Sequence, residues 1–291
     1  GGMSWRLGFV FALGIIVANI PEGLLPTVNL CLAIGVQRMA KENALVKRLS
    51  SVETLSSATV ICTDKTGTLT QNQLMVKKLW TADGVAEVGG NGYKADGEVV
   101  VNGGGAAAAV EKLLTVGVVC SEAELIPNNV LKDEWNILGS PTEGSLLIAA
   151  KKFGIDINRK RSGYRVEEVI PFTSEQKKMT VIVENVSDDG FDKNKRYVFC
   201  KGAPNIILEN CAFIFKDGAA KAITGEEKTE ILKINDGYAA DGFRILALCF
   251  KEKDGAPIDK GLCLIGLSIV YDPPRLEVAQ AVAQCKRAGI K

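Results

Sequence analysis

Asp64, followed by Lys65-Thr66-Gly67-Thr68-Leu69-Thr70, is the residue on which covalent chemistry in this sequence would turn. A β-branched and apolar run, Ala58 to Thr63, reads as a strand that delivers this carboxylate at its carboxyl end. Gly67, two residues after Lys65, permits the sharp turn that must follow. The chemistry is that of phosphate. Asp64 would serve as nucleophile, Lys65 would offset phosphate charge, and the amides and hydroxyls of Thr66 to Thr68 would cradle a phosphoryl group. No Walker-type loop ending in Gly-Lys-Ser/Thr occurs, so phosphoryl transfer would run through Asp64.

A second set of residues suits a nucleotide. Phe172, directly after Pro171, could stack on a base, and Lys177 could attend phosphates. Lys201-Gly202-Ala203-Pro204 places a lysine and a small-residue turn where a strand opens into a helix, a geometry that holds phosphate. Glu143 lies in the first turn of a helix capped by Ser140 with Pro141 at its first position, where by position alone it favours the helix dipole. Asp272 and Arg275 bracket Pro273-Pro274, and their plainest reading is a hinge salt bridge.

Composition narrows the alternatives. Lys and Arg number 35 against 34 acidic residues, a net charge of +1 with no basic patch, so no nucleic-acid partner is expected. Histidine is absent, which excludes Ser-His and Cys-His relays and leaves oxygen ligands for any metal. The 8 cysteines include no Cys-x-x-Cys pair and several lie in apolar runs, as buried free thiols in a reducing compartment would.

The elements that would position these groups begin with an apolar stretch. From Leu7 to Gln37 the only ionisable side chain is Glu22, and the stretch exceeds the roughly 20 residues a membrane helix needs. Arg38, Lys41, Lys47 and Arg48 follow, which places the carboxyl side in the cytosol, that is, residues after about 38. Pro21, Gly23 and Pro26 should break the helix and free backbone carbonyls. A carboxylate at mid-membrane costs about 2.5–3.5 kcal/mol, so Glu22 either joins those carbonyls in a cation site or sits neutral beside a proline kink. Leu45, Leu49, Val52 and Leu55 then predict a connecting helix over Lys41 to Leu55. A strand from Gln73 to Trp80, a glycine-rich loop passage and a helix at about Ala106 to Cys120 come next. Strands at Tyr164 to Ile170, Met179 to Glu184, Arg196 to Cys200, Arg244 to Phe250 and Leu262 to Val270 predict an antiparallel sheet with helices packed on it. Thr224 and Glu227 form a capping box.

Asp64-Lys65-Thr66-Gly67-Thr68-Leu69-Thr70 resembles the phosphorylation motif of the P-type ATPases, ion pumps that form an aspartyl-phosphate. Val17-Ala18-Asn19-Ile20-Pro21-Glu22-Gly23-Leu24-Leu25 resembles their fourth transmembrane helix, in features shared between calcium and sodium/potassium pumps. Pro141-Thr142-Glu143-Gly144 resembles the nucleotide-domain segment whose Glu reaches the adenine amino group. Phe172, Lys177, Lys201-Gly202-Ala203 and Arg244 occur in the order of that domain, and Asp272-Pro273-Pro274-Arg275 resembles the return to the phosphorylation domain, with polar residues near the phosphates. In the haloacid-dehalogenase superfamily, which the pumps resemble, the position two after the nucleophile is often a second Asp. Here it is Thr66, so a phosphoenzyme at Asp64 should last. Thr224-Gly225-Glu226 matches the pumps' dephosphorylation triplet but stands in the wrong place for it.

The resemblance implies a mixed α/β and α+β chain in four parts: a transmembrane helix over 1–40, the start of a haloacid-dehalogenase-like parallel-sheet phosphorylation domain over 41–73, an inserted antiparallel nucleotide-binding domain over 74–271, and a truncated return over 272–291. It implies ATP as substrate, with Glu143, Phe172, Lys177, Lys201, Gly202, Arg244, Asp272 and Arg275 around it. It further implies Mg²⁺ at Asp64 and the Thr66 carbonyl, a transported cation at Glu22, membrane lipid around the first segment, and room for an accessory subunit of a larger, multi-pass parent. Two other readings stand beside it: an ATP-binding module without turnover, and a soluble haloacid-dehalogenase-like phosphatase.

Overall fold

The computed structural model describes residues 4–19, 23–90, 92–94, 96–128, 134–187 and 190–291. The chain divides into two compact units, Gly1–Thr63 with Leu276–Lys291, and Asp64–Arg275. The first unit opens with α1 (Trp5–Ala18) and α2 (Leu24–Lys41). Pro21 and Glu22, the expected break and the expected ion ligand, lie outside the described residues.

Among the described residues no helix is long and apolar enough to cross a membrane, and residues 20–22, in the middle of the span expected over 7–37, lie outside them. The 14 residues of α1 rise only about 21 Å against a hydrocarbon layer of about 30 Å, and α2 ends in Gln37, Arg38 and Lys41. The connecting helix expected over Lys41 to Leu55 is corrected. Asn43 adopts a left-handed φ of 61°, the amide of Ala44 closes back on the Met39 carbonyl at 2.8 Å and that of Asn43 on Ala40 at 3.1 Å. This motif ends α2, because asparagine tolerates the left-handed region that most residues avoid. Helix resumes only as α3 (Ser50–Ser56).

The second unit runs β1 (Met75–Thr81), β2 (Gly84–Val88), β3 (Val99–Asn102), α4 (Ala106–Val119), β4 (Glu124–Pro127), β5 (Trp135–Leu138), α5 (Pro141–Lys152), α6 (Ile157–Ser162), β6 (Tyr164–Ile170), β7 (Lys178–Asn185), β8 (Arg196–Gly202), α7 (Pro204–Asn210), β9 (Cys211–Lys216), β10 (Ala219–Ala222), α8 (Gly225–Ala240), β11 (Arg244–Glu252) and β12 (Leu262–Tyr271). The main sheet has the order β3-β2-β1-β12-β11-β8-β7-β6, and β4 and β5 pair separately. Every pairing is antiparallel except β9 on β12. β12 serves both: Gly266 to Tyr271 pair with β1, and Leu262 to Leu264 pair with β9.

β12 is almost continuously apolar because helices cover both of its faces. One core places Val110, Leu113 and Leu114 of α4 and Leu146 and Leu147 of α5 against Met179 and Phe199. The other places Ile207, Leu208 and Ile231 against Ile245, Leu264 and Ile269. Each fully buried side chain of this size contributes about 1.5–3 kcal/mol, so Leu113→Ala at the centre of the first core should cost about 2–5 kcal/mol. The capping box at α8 is present, with Glu227 N on the Thr224 hydroxyl at 3.1 Å and Thr224 N on the Glu227 carboxylate at 2.8 Å.

After β12 the chain returns to the first unit as α9 (Val278–Arg287). The parallel sheet expected around Val60 to Thr63 is not assembled among the described residues. That segment is extended, and its ladder is a single step: Ile61 N donates to the Lys291 carbonyl (2.8 Å) and Lys291 N to the Thr59 carbonyl (2.9 Å). Such alternation is the parallel pattern, but one step buries neither face of a strand.

Candidate functional site

Two constellations gather the residues that could do chemistry. The first is the loop after Asp64. Thr66 (φ −78°, ψ 125°) and Gly67 (φ 78°, ψ −14°) form the centre of a type II turn, whose second central position needs a positive φ and hence glycine. Thr70 closes it: its amide donates to the Lys65 carbonyl at 3.1 Å, and its hydroxyl accepts from the Gly67 amide at 3.1 Å and donates to Asp272 Oδ2 at 2.6 Å.

The segment 272–275 grips this loop throughout. Asp272 Oδ1 accepts from the Gln73 amide at 3.2 Å. Arg275 donates through Nε to the Thr68 carbonyl (3.2 Å) and through Nη2 to the Gly67 carbonyl (3.0 Å). Gln71 N reaches Pro273 O and Arg275 N reaches Leu69 O, both at 2.9 Å. Asp272 and Arg275 therefore do not form a hinge pair with each other; both direct their polar atoms to the loop. Asp64, Lys65 and Thr66 are exposed on it.

The second constellation is a cavity of about 570 Å³ lined by Glu143, Phe172, Lys201, Gly202 and Arg244, with Glu122, Ser140, Thr142, Pro171, Met179 and Leu246. Four separate stretches supply the expected residues. Glu143 comes from the first turn of α5, whose N-cap Ser140 contributes its extended backbone and no side-chain cap bond. Phe172 follows β6 and is 58% exposed. Lys201 and Gly202 end β8, and Arg244 opens β11.

Gly202 is required by close approach, since a Cβ there would stand 2.5 Å from the Lys177 carbonyl oxygen. That carbonyl accepts from Ala203 N at 2.9 Å, and Lys177 itself holds a left-handed φ of 51°. Lys177 thus contributes backbone at the turn and does not line the cavity.

Electrostatics in the cavity centre on one pair. Lys201 Nζ lies 2.5 Å from Glu143 Oε1 with side chains only 7% and 12% exposed, and it also reaches the Ser121 hydroxyl at 3.2 Å. Glu143 Oε2 accepts from the amides of Glu122 and Ala123, each at 3.0 Å. Sequence reasoning found both charged residues but not Ser121 or Arg161. Arg161 donates to the carbonyls of Val118 (3.2 Å), Ser121 (2.8 Å) and Ala123 (2.8 Å), satisfying the last turn of α4 and the segment after it. Burial lowers the Arg161 pKa from its ordinary value. Arg161 sits in a run of basic residues, and no spacing rule pointed back to residues 118–123. Beside this cluster Cys120 is wholly buried, and burial pushes its thiol up to about 12.

For a metal, no cluster of three or more ligating side chains occurs among the described residues. The Asp64 carboxylate and the Thr66 carbonyl are oxygen donors on an exposed loop, a set that suits a hard divalent cation which keeps most of its waters.

Residues 109–277 match the family model of P-type ATPase, cytoplasmic domain N. The chain is 37% identical over 293 residues to a calcium-transporting ATPase of Bacillus subtilis (97% of this chain, 32% of that protein). It is 37% identical over 300 residues to calcium-transporting ATPase type 2C member 1 of Mus musculus (99% and 31%), and 35% identical over 311 residues to the sodium/potassium-transporting ATPase subunit alpha of Hydra vulgaris (100% and 29%). The chain spans about a third of the length of these relatives.

Proposed function

Because the chain belongs to the P-type ATPase family, we propose that it supplies the nucleotide-binding domain and phosphorylation loop of an ATP-driven cation pump. The observation that carries the reading is the cavity that unites Glu143, Phe172, Lys201, Gly202 and Arg244 from four stretches of chain. A base would stack on the exposed Phe172 ring with Met179 and Leu246 as apolar walls, while Arg244 and the amino end of α5 favour an anionic group. Glu143 would orient the base amino group only by sharing the carboxylate that Lys201 and two amides already hold. Lys177 would serve phosphates from outside the cavity.

At the loop, Asp64 would attack the γ-phosphoryl group of ATP, with Lys65 offsetting charge and the type II turn fixing the donors around it. Asp272 and Arg275 would act on the phosphates chiefly by holding Gly67, Thr68 and Thr70 in place. Mg²⁺, held by Asp64 and the Thr66 carbonyl, would supply charge neutralisation. Having Thr66 where a general base could stand, the loop would keep the aspartyl-phosphate long enough to drive transport. Glu22 would hold the cation in a membrane-bound parent, with residues after about 38 on the cytoplasmic side.

Titration of the chain with ATP tests the nucleotide reading: saturable binding that weakens in Arg244→Ala and Lys201→Ala is expected, and a folded chain that binds no ATP refutes it. Loop chemistry is tested in the full-length parent, where Asp64→Asn should abolish acid-stable phosphorylation. For the chain as it stands, the single parallel step at Thr59–Ile61 favours binding without turnover. Steady phosphate release by the isolated chain would contradict that second reading.

A further inference from the structure

Two of the strands that build the nucleotide cavity, β8 and β11, build another at their opposite ends. β8 runs from Tyr197 to Lys201 and Gly202, and β11 runs from Leu246 to Phe250. Four residues of strand cover about 13 Å, and the two cavities have no lining residue in common. This further cavity is also about 570 Å³, with Lys112, Phe191, Tyr197, Phe213, Phe250 and Cys263 in its wall.

Lys112 projects from α4 into a cluster of rings. Its Nζ lies 3.5 Å from the Phe191 ring centre, 5.3 Å from that of Phe250 and 5.4 Å from that of Phe215. It also donates to the Gly190 carbonyl. The acidic side chains at the rim are engaged elsewhere. Lys195 lies 3.0 Å from both Asp192 and Glu252, and Lys251 lies 3.6 Å from Asp254. Among the described residues no carboxylate stands within ion-pair distance of Lys112.

Among the described residues this half-buried ammonium is held by rings and one carbonyl, with Asp192 and Glu111 near enough to act on it but not paired with it. Burial lowers its pKa to about 8, with Asp192, Cys263 and Glu111 acting in the opposite direction. Cation–π contacts recover about 0.5–2 kcal/mol, and among the described residues the Gly190 carbonyl is the one hydrogen-bond acceptor of an ammonium that can donate three times. Phenylalanine and tyrosine rings around that charge would bury an apolar body.

We propose that this cavity is a second small-molecule site, selective for an amphipathic organic monoanion whose carboxylate or sulfonate pairs with Lys112 while its apolar body packs on Phe191 and Phe250. The site is independent of the nucleotide reading, because neither its residues nor its chemistry draw on Glu143, Lys201 or Arg244.

The test titrates the chain with 8-anilinonaphthalene-1-sulfonate by fluorescence, alongside the uncharged N-phenyl-1-naphthylamine. Saturable 1:1 binding of the sulfonate is expected, weakened at least tenfold in Lys112→Gln. The uncharged analogue should bind at least tenfold more weakly and without regard to Lys112. Equal sulfonate affinity in a folded Lys112→Gln chain, equal affinity for the two dyes, or displacement of the sulfonate by ATP would each overturn the proposal. A second measurement needs no variant: acetic anhydride modification of Lys112, followed by mass spectrometry, should slow at least fivefold when the sulfonate is bound. An unchanged rate at saturating sulfonate would also overturn it.

Discussion

Replacing Lys201 with methionine removes the ammonium that neutralises Glu143 while preserving most of the side-chain volume. The carboxylate left behind is 12% exposed, and it keeps only the two amide donors from Glu122 and Ala123. Breaking one side of a buried ion pair costs about 3–5 kcal/mol, and the retained amide bonds put this site at the lower end, about 3 kcal/mol. Glu143→Gln alone should also destabilise, because its amide nitrogen would face the Lys201 ammonium. In the double variant the introduced glutamine can still accept from both amides through its oxygen, and no charge remains to be neutralised. Its loss should fall short of the summed single losses by at least about 1.5 kcal/mol, well beyond the scatter of about 0.5 kcal/mol expected of independent sites. Urea unfolding of the four chains at one pH, followed by circular dichroism, measures the cycle. Additive losses would refute the claim that this pair is buried and direct, and would remove the reason for placing the nucleotide cavity around it.

Phe172→Ala should weaken ATP binding by about 1–3 kcal/mol, the range for a base stacked on an aromatic ring, with little change in unfolding midpoint because the ring is 58% exposed. An unaltered ATP affinity would remove stacking from the account. Arg275→Ala strips two side-chain bonds from the Gly67 and Thr68 carbonyls, and Gly67→Ala forces a side chain into φ 78° at about 1–2 kcal/mol. Both should lower phosphoenzyme yield in the full-length parent and quicken hydrogen exchange at the Gly67 and Thr70 amides, whereas normal exchange with low yield would deny the positioning role. The thiols of Cys120 and Cys263 are pushed up to about 12, chiefly by burial, from about 8.5 in an unfolded chain. Their contribution to stability is full below the unfolded value and is lost as pH rises towards 12. Relative to Cys120→Ala/Cys263→Ala, the parent chain should therefore lose urea resistance above about pH 9, and parallel profiles would contradict it. Under native conditions the exposed Cys31 and Cys62 should react first with a thiol reagent, ahead of buried Cys200, Cys211 and Cys249.

Strand positions were readable wherever one side chain type repeated along a buried surface. β12 follows its almost continuous apolar run, and β6 falls at the expected Tyr164–Ile170 although most of it is exposed. The helices at Ala106 and Pro141 were marked by alanine content and by a proline at the first position, and α8 by its capping box. Failures came where a local pattern depended on partners distant in sequence. Leu45, Leu49, Val52 and Leu55 have helical spacing, yet Asn43 closes α2 before they begin. Ala58 to Thr63 has strand composition, but a parallel strand is stable only between neighbours, and here a single residue, Lys291, pairs with it.

The order and type of residues alone determined that Asp64 would stand on a glycine turn, that Glu143 would open a helix, and that Lys201-Gly202 would close a strand. These follow from backbone preference and short-range periodicity, which are properties of neighbouring residues. Only tertiary structure decided that Asp272 and Arg275 hold the Asp64 loop instead of each other, that Lys201 commits its charge to Glu143, and that Arg161 and Ser121 belong to the same cluster. Those outcomes depend on which donors and acceptors meet across dozens to hundreds of residues, and for the buried Lys201–Glu143 pair the low dielectric of the interior makes the pairing obligatory once the fold brings it together.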